Sequence, residues 1–178
     1  MNRLFVALRP PATVREALLD ATGGVENARW QDEDQLHLTL RFVGDIDAPL
    51  ANDLAAALGQ VDAPPFDLQV AGVSHFERKG RATALWAAVL ASPELSVLQR
   101  KIERACQRVG LEPEGRKFTP HITLARLSGA AGPIGGWLAA HGALTAPPWR
   151  VDEFRLYESV LRPAGSSYEP VVSYRLRS

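Results

Sequence analysis

The chain has 178 residues, 46% hydrophobic and 22% charged, which is enough for one domain with a proper core and typical of an ordinary globular protein. Lys plus Arg equals Asp plus Glu at 20 each, so no global basic field exists to coat a nucleic-acid backbone, and any contact with RNA must be local. A single cysteine, Cys106, excludes an internal disulfide and fits a reducing cytoplasm.

In chain order, the opening "RLFVAL" is too short for a signal-peptide core or a membrane span and reads as a β-strand, so neither a targeting segment nor membrane association is expected. "PPATVREALLDATG" carries helix start and stop signals, prolines in front and glycines behind. The acidic run Asp32-Glu33-Asp34 reads as a solvated turn. "LHLTLRFVG" follows as a strand, and "DAPLANDLAAALGQV" as a second helix. "PPFDLQVAGVSHF" and "ATALWAAVLA" form a hairpin around "ERKGR". "SPELSVLQRKIERACQRVG" is the clearest helix: Ser92 caps it, Leu95, Leu98, Ile102, Ala105 and Val109 make its apolar stripe, and Gly110 ends it. Cys106 lies in it as a buried structural thiol. "HITLARL", a weak helix at "GGWLAAHG" and two strands, "WRVDEFRLYESVL" and "YEPVVSYRLR", complete an α+β chain without a long linker.

"HLTL" at 37–40 returns as "HITL" at 121–124, so two of the four histidines sit in one repeated pattern. Successive side chains on a strand alternate between faces, so each copy sets His and Thr on one face and two aliphatics on the other. Core packing explains the aliphatics but gives no reason to repeat both polar residues in phase. Two imidazoles with pKa values near neutrality can deprotonate a water and protonate a leaving oxygen in one reaction, with kcat/KM limbs on either side of neutrality. The threonines, roughly 7 Å further along each strand, can hold phosphate oxygens. That outlines attack on a phosphodiester without a metal, above all a strained 2′,3′-cyclic one. No carboxylate is interleaved in either motif strand, so no metal site is expected. His75 and His141 read as a loop or surface residue and a helix-end residue, and Phe42 as core.

The paired motifs with their flanks, "LFVALRPP", "LHLTLRFVGDI", "RKFTPHITLAR" and "LYESVLRPAGSSYEPV", resemble those of the 2H phosphoesterase superfamily, and within it the RNA 2′,3′-cyclic phosphodiesterases, also called 2′-5′ RNA ligases. The resemblance implies one two-lobed domain over 1–178. Its expected fold is α+β with two antiparallel sheets, flanking helices, a pseudo-two-fold and an active-site groove between the lobes. It implies hydrolysis of 2′,3′-cyclic phosphate ends of RNA or small cyclic nucleotides to 2′-phosphates, with 2′-5′ ligation as the reverse reaction. No cofactor or metal is needed, and a monomer is expected. His37 corresponds to the proton donor and His121 to the acceptor; Thr39 and Thr123 correspond to phosphate ligands, and Arg126 to a substrate contact. Strict alternation points Arg126 away from the groove unless the strand bulges, whereas it points Arg41 in, beside His37 and Thr39, as a second candidate contact. Pro120 extends the approach to His121 and helps fix it. The competing class is a non-catalytic nucleotide- or RNA-binding module of the same fold, which loss of a motif residue would mark; all four His and Thr are present.

Overall fold

The structure is a computed structural model that describes residues 1–177. Four helices are present: α1 (Ala12–Leu19), α2 (Ala48–Leu58), α3 (Pro93–Arg108) and α4 (Gly135–His141). In α3 the Ser92 hydroxyl accepts from the Leu95 amide at 3.1 Å, Leu95, Leu98, Ile102, Ala105 and Cys106 are buried, and Gly110 at φ +98 turns the chain out of the helix. Asp47 caps α2 in the same manner, accepting from Leu50 N. Trp137 anchors the short α4 by donating from Nε1 to the Ala21 carbonyl at 2.8 Å. Burial pushes the Cys106 thiol up to about 11, in keeping with a structural role. Among the described residues no helix is long and apolar enough to cross a membrane.

The strands are β1 (Asn2–Leu8), β2 (Arg29–Trp30), β3 (Leu38–Ile46), β4 (Phe66–Leu68), β5 (Val70–Arg78), β6 (Arg81–Val89), β7 (His121–Arg126), β8 (Trp149–Val151), β9 (Glu153–Arg162) and β10 (Gly165–Arg175). Eight of them form an antiparallel sheet in the order β10-β9-β1-β3-β7-β6-β5, with β2 added along β7. The two halves meet at β3 and β7 through one residue pair, Leu38 opposite Ile122, both fully buried. Each half of the sheet therefore carries one His-Thr motif on its innermost strand, and the two antiparallel halves join at a seam. Neighbouring strands twist relative to one another, so a sheet held together by a single pair splays there and opens a groove.

A second, two-stranded sheet pairs β4 with β8. Two runs read as single strands from sequence are thus each divided in two. Between β4 and β5 the Gln69 amide bonds back to Val70 O and across to Ala146 O, bending the chain so that β4 leaves the large sheet. Asp152 makes the corresponding break between β8 and β9. The apolar core lies between the large sheet and the helices, where Val14, Leu18, Leu54, Leu58, Leu98 and Ile102 meet Leu4, Val6, Leu38, Ile122 and Leu124.

Candidate active site

The seam puts the two motifs side by side. With Leu38 opposite Ile122 in an antiparallel register, His37 neighbours Thr123 and Thr39 neighbours His121, all four on the face opposite the core. This follows directly from the alternation of the two tetrapeptides.

Beyond the threonines alternation fails, in the same way on both strands. Along β1, consecutive Ala7 and Val6 face Thr39 and Arg41, so Leu40 is an extra residue in β3. Along β6, consecutive Trp86 and Leu85 face Thr123 and Ala125, so Leu124 is extra in β7. Each bulge turns two successive side chains inward: Leu40 with Arg41, and Leu124 with Ala125, all buried. The residue that follows is turned to the groove instead, which is Phe42 on one strand and Arg126 on the other.

Three expectations are settled by these bulges. Arg126 reaches the groove, as the bulge condition required. Phe42 is not core; it is 40% exposed and faces the cavity with the Arg3 guanidinium 5.0 Å above its ring. Arg41 is not a groove residue, contrary to the expectation from alternation. Its side chain lies on the core side, where Nε donates to Glu103 of α3, Nη1 to the Phe42 carbonyl at 2.7 Å and Nη2 to the Glu112 carbonyl. Burial alone would raise the Glu103 carboxyl, but hydrogen bonds from Arg41, Gln107 and the Glu114 amide outweigh it and hold the carboxyl below its ordinary value.

Each histidine sits in an aromatic cradle supplied by its own half of the sheet. His37, immediately before β3, is 6% exposed and lies edge-on to Tyr157 at 4.5 Å, Tyr168 at 5.5 Å and Phe5 at 6.0 Å. Burial pushes its pKa down to about 4, with Arg9, Arg155 and Arg15 adding to the fall. The Gln35 backbone pulls the other way, yet Nδ1 makes no well-formed hydrogen bond among the described residues. His121 packs against Phe76 at 4.9 Å and Trp86 at 5.4 Å. Its Nδ1 lies 2.6 Å from the Thr119 carbonyl, which can only accept, so Nδ1 carries the proton and a neutral His121 keeps its Nε2 lone pair free. Burial lowers this pKa too, opposed by the Thr119 carbonyl and reinforced by Arg126. Both imidazoles thus lie below their ordinary value in the free protein.

A cavity of about 370 Å³ opens on this face, and His37, Thr39, Thr123 and Arg126 line it together with Gln31, Gln35, Phe42, Ser166 and Tyr168. None of these described lining residues is a carboxylate. His121 stands beside the cavity rather than in its wall, two residues before Thr123 on the same strand face. Gln31 is 7% exposed, and its Oε1 has no hydrogen-bond partner among the described residues. Gln31 stood in no motif, and Tyr157, Ser166 and Tyr168 fell within "LYESVLRPAGSSYEPV" without a role of their own; the pairing of β1, β9 and β10 brings the latter three to the site.

The remaining candidates lie elsewhere. His75 is on β5, not in a loop, with Nε2 2.8 Å from Glu77 Oε1. His141 ends α4 against the Trp137 ring. In the acidic run Asp32 caps a 3-10 turn (Glu33–Gln35), Glu33 pairs with Arg15 and Asp34 faces Arg9. Among the described residues no group of three or more His, Cys, Asp and Glu converges as a metal site.

Known proteins resemble this chain in sequence and in fold. The family model described as the 2′-5′ RNA ligase superfamily matches residues 10–161. Proteins named RNA 2′,3′-cyclic phosphodiesterase are similar along the chain. The one from Aeropyrum pernix is 29% identical over 94% of this chain and 95% of its own, and the one from Thermotoga maritima 30% over 80% and 76%. The one from Escherichia coli K12 is 29% identical over 98% and 97%. Among solved structures, E. coli LigT complexed with 3′-AMP superposes at a TM-score of 0.80 with 26% identity, covering 99% of both chains. TT0787 of Thermus thermophilus superposes at 0.84 with 25% identity, covering 99% and 98%.

Proposed function

The chain belongs to the 2′-5′ RNA ligase superfamily, and from that premise we propose that it hydrolyses 2′,3′-cyclic phosphate ends of RNA or small cyclic nucleotides to 2′-phosphates by imidazole acid-base catalysis without a metal. It is a hydrolase of the RNA 2′,3′-cyclic phosphodiesterase class. The observation that carries the mechanism is the set of groups at the seam: two imidazoles, two threonine hydroxyls and the Arg126 guanidinium, with no carboxylate among the described residues lining the cavity.

In this reading the cyclic phosphate lies over the seam, with its non-bridging oxygens accepting from the Thr39 and Thr123 hydroxyls and the Arg126 guanidinium close by. Nε2 of His121, which carries the lone pair of the neutral ring because Nδ1–H donates to the Thr119 carbonyl and which burial keeps unprotonated, takes a proton from the attacking water. The water oxygen bonds to phosphorus, the bond from phosphorus to O3′ breaks, and His37 protonates O3′, leaving the phosphate on O2′. A 5′-hydroxyl in place of water would form a 2′-5′ phosphodiester by the same steps.

His37, with a pKa of about 4 in the free protein, must gain its proton in the complex. A phosphate anion about 4 Å away at an effective dielectric near 20 is worth about 4 kcal/mol, or roughly three pKa units, which brings the imidazole to about neutrality. Substrate therefore charges its own acid, and the aromatic cradle keeps that acid uncharged until then. Replacing either His37 or His121 with Ala should lower turnover of a 2′,3′-cyclic nucleotide by roughly 10²–10⁴-fold, and the two losses should not multiply. Near-wild-type turnover by either folded variant would remove the acid-base assignment.

A further inference from the structure

A second cavity of about 340 Å³ adjoins the first and shares Gln31, Gln35, Arg126, Ser166 and Tyr168 with it, so the two form one groove running out along β2. Its outer wall brings in Arg29 and Trp30 of β2, Arg162 and the β9–β10 turn.

Arg29 and Arg126 are directly opposite in the β2–β7 ladder. Directly opposed residues share a face with Cβ atoms about 4.5–5.5 Å apart, and like charges there are unfavourable. Neither guanidinium makes an ion pair among the described residues, and both are exposed. The other charges around this cavity are engaged: Arg162 with Glu169, Asp34 with Arg9, and Asp32 with the Gln35 amide. Folding has no use for two facing, unpaired arginines, but an anion held between them does.

Resting on the reaction proposed above, we propose that Arg29, opposite Arg126, is a specificity residue that binds the phosphodiester on the 5′ side of the cyclic end. The chemistry of the substrate supports that occupant. A 2′,3′-cyclic phosphate closes the 3′ terminus, so an RNA can continue only through the 5′-oxygen of the terminal nucleoside, and the next group along is a singly charged phosphodiester. With the cyclic phosphate at the seam, the shared wall at Arg126 is where the groove leads outward. The site distinguishes the end of an RNA from a free cyclic nucleotide, which has no such phosphate.

Three substrates test this: a nucleoside 2′,3′-cyclic monophosphate, a dinucleotide ending in a 2′,3′-cyclic phosphate, and the same dinucleotide with a neutral methylphosphonate internal linkage. Wild-type protein should have a kcat/KM about tenfold higher for the charged dinucleotide than for the methylphosphonate. Arg29→Gln should abolish that preference while leaving mononucleotide turnover unchanged, and Arg29→Lys should keep part of it. The dependence of dinucleotide affinity on salt should flatten by about 0.7 in log–log slope in Arg29→Gln. No wild-type preference for the charged linkage, an unchanged preference in Arg29→Gln, or an equal loss on all three substrates would overturn the assignment. Absence of turnover of every substrate by wild-type protein would instead overturn the reaction on which it rests, and this assignment with it.

Discussion

His37 is the group most exposed to a thermodynamic test, because its burial predicts a stability that depends on pH. The folded protein holds this imidazole at a pKa of about 4, whereas in the unfolded chain it titrates near 6.5. Between those values the unfolded state binds more protons than the folded one, so stability rises with pH in that window. The contribution is fully present above pH 6.5 and is lost as pH falls toward 4. The gap is worth about 3 kcal/mol in total, most of which is gone by pH 4.5. His37→Asn removes the titrating group while keeping a polar side chain of similar reach. Urea unfolding at pH 7.5 and 4.5 should show wild-type protein losing about 2–3 kcal/mol more than the variant over that interval, the remaining slope from carboxylates and His121 being common to both. Parallel losses would mean that His37 is solvated in the free protein, and substrate would then not be needed to charge the acid.

Arg41→Met should destabilise the fold by about 2–4 kcal/mol in denaturant titrations, because it leaves Glu103 half-buried without its cation, yet the folded variant should keep the wild-type KM. A raised KM at full stability would return Arg41 to the groove. Thr39→Val and Thr123→Val keep the strand shape and should each cost about 1–3 kcal/mol in kcat/KM with little change in unfolding midpoint; full activity in both would make the hydroxyls spectators. The pH profile of kcat/KM, which reports the free protein, should be bell-shaped with both limbs below 6.5, while that of kcat should lie at higher pH because bound phosphate raises both imidazoles. Coincident profiles would contradict charging by substrate.

What could be read along the strands was recovered, and what depended on pairing between them was not. Repetition of His-x-Thr with aliphatics at fixed phase placed His37, Thr39, His121 and Thr123 on one face, because alternation is a property of the strand alone. The same rule misdirected Arg41 and Phe42, and left Arg126 dependent on a bulge that nothing marked. Leu40 and Leu124 are ordinary core leucines, with neither glycine nor proline to announce a bulge; the extra residue shows only when β3 is counted against β1 and β7 against β6. Tyr157 and Tyr168 lie far along the chain from His37 and join it through the β1–β9–β10 ladder, so no local pattern could assign them to the cradle. The helices were more legible, since Ser92, Asp47 and Gly110 act within a turn of their own positions.

The central claim, hydrolysis at the seam by imidazoles alone, is tested most directly by phosphorus NMR of a 2′,3′-cyclic nucleotide incubated with the protein in excess EDTA. The resonance of the cyclic phosphate should give way to that of the 2′-phosphate alone, at a rate the chelator leaves unchanged. A 3′-phosphate product, or turnover lost on chelation and restored by a divalent metal, would contradict it.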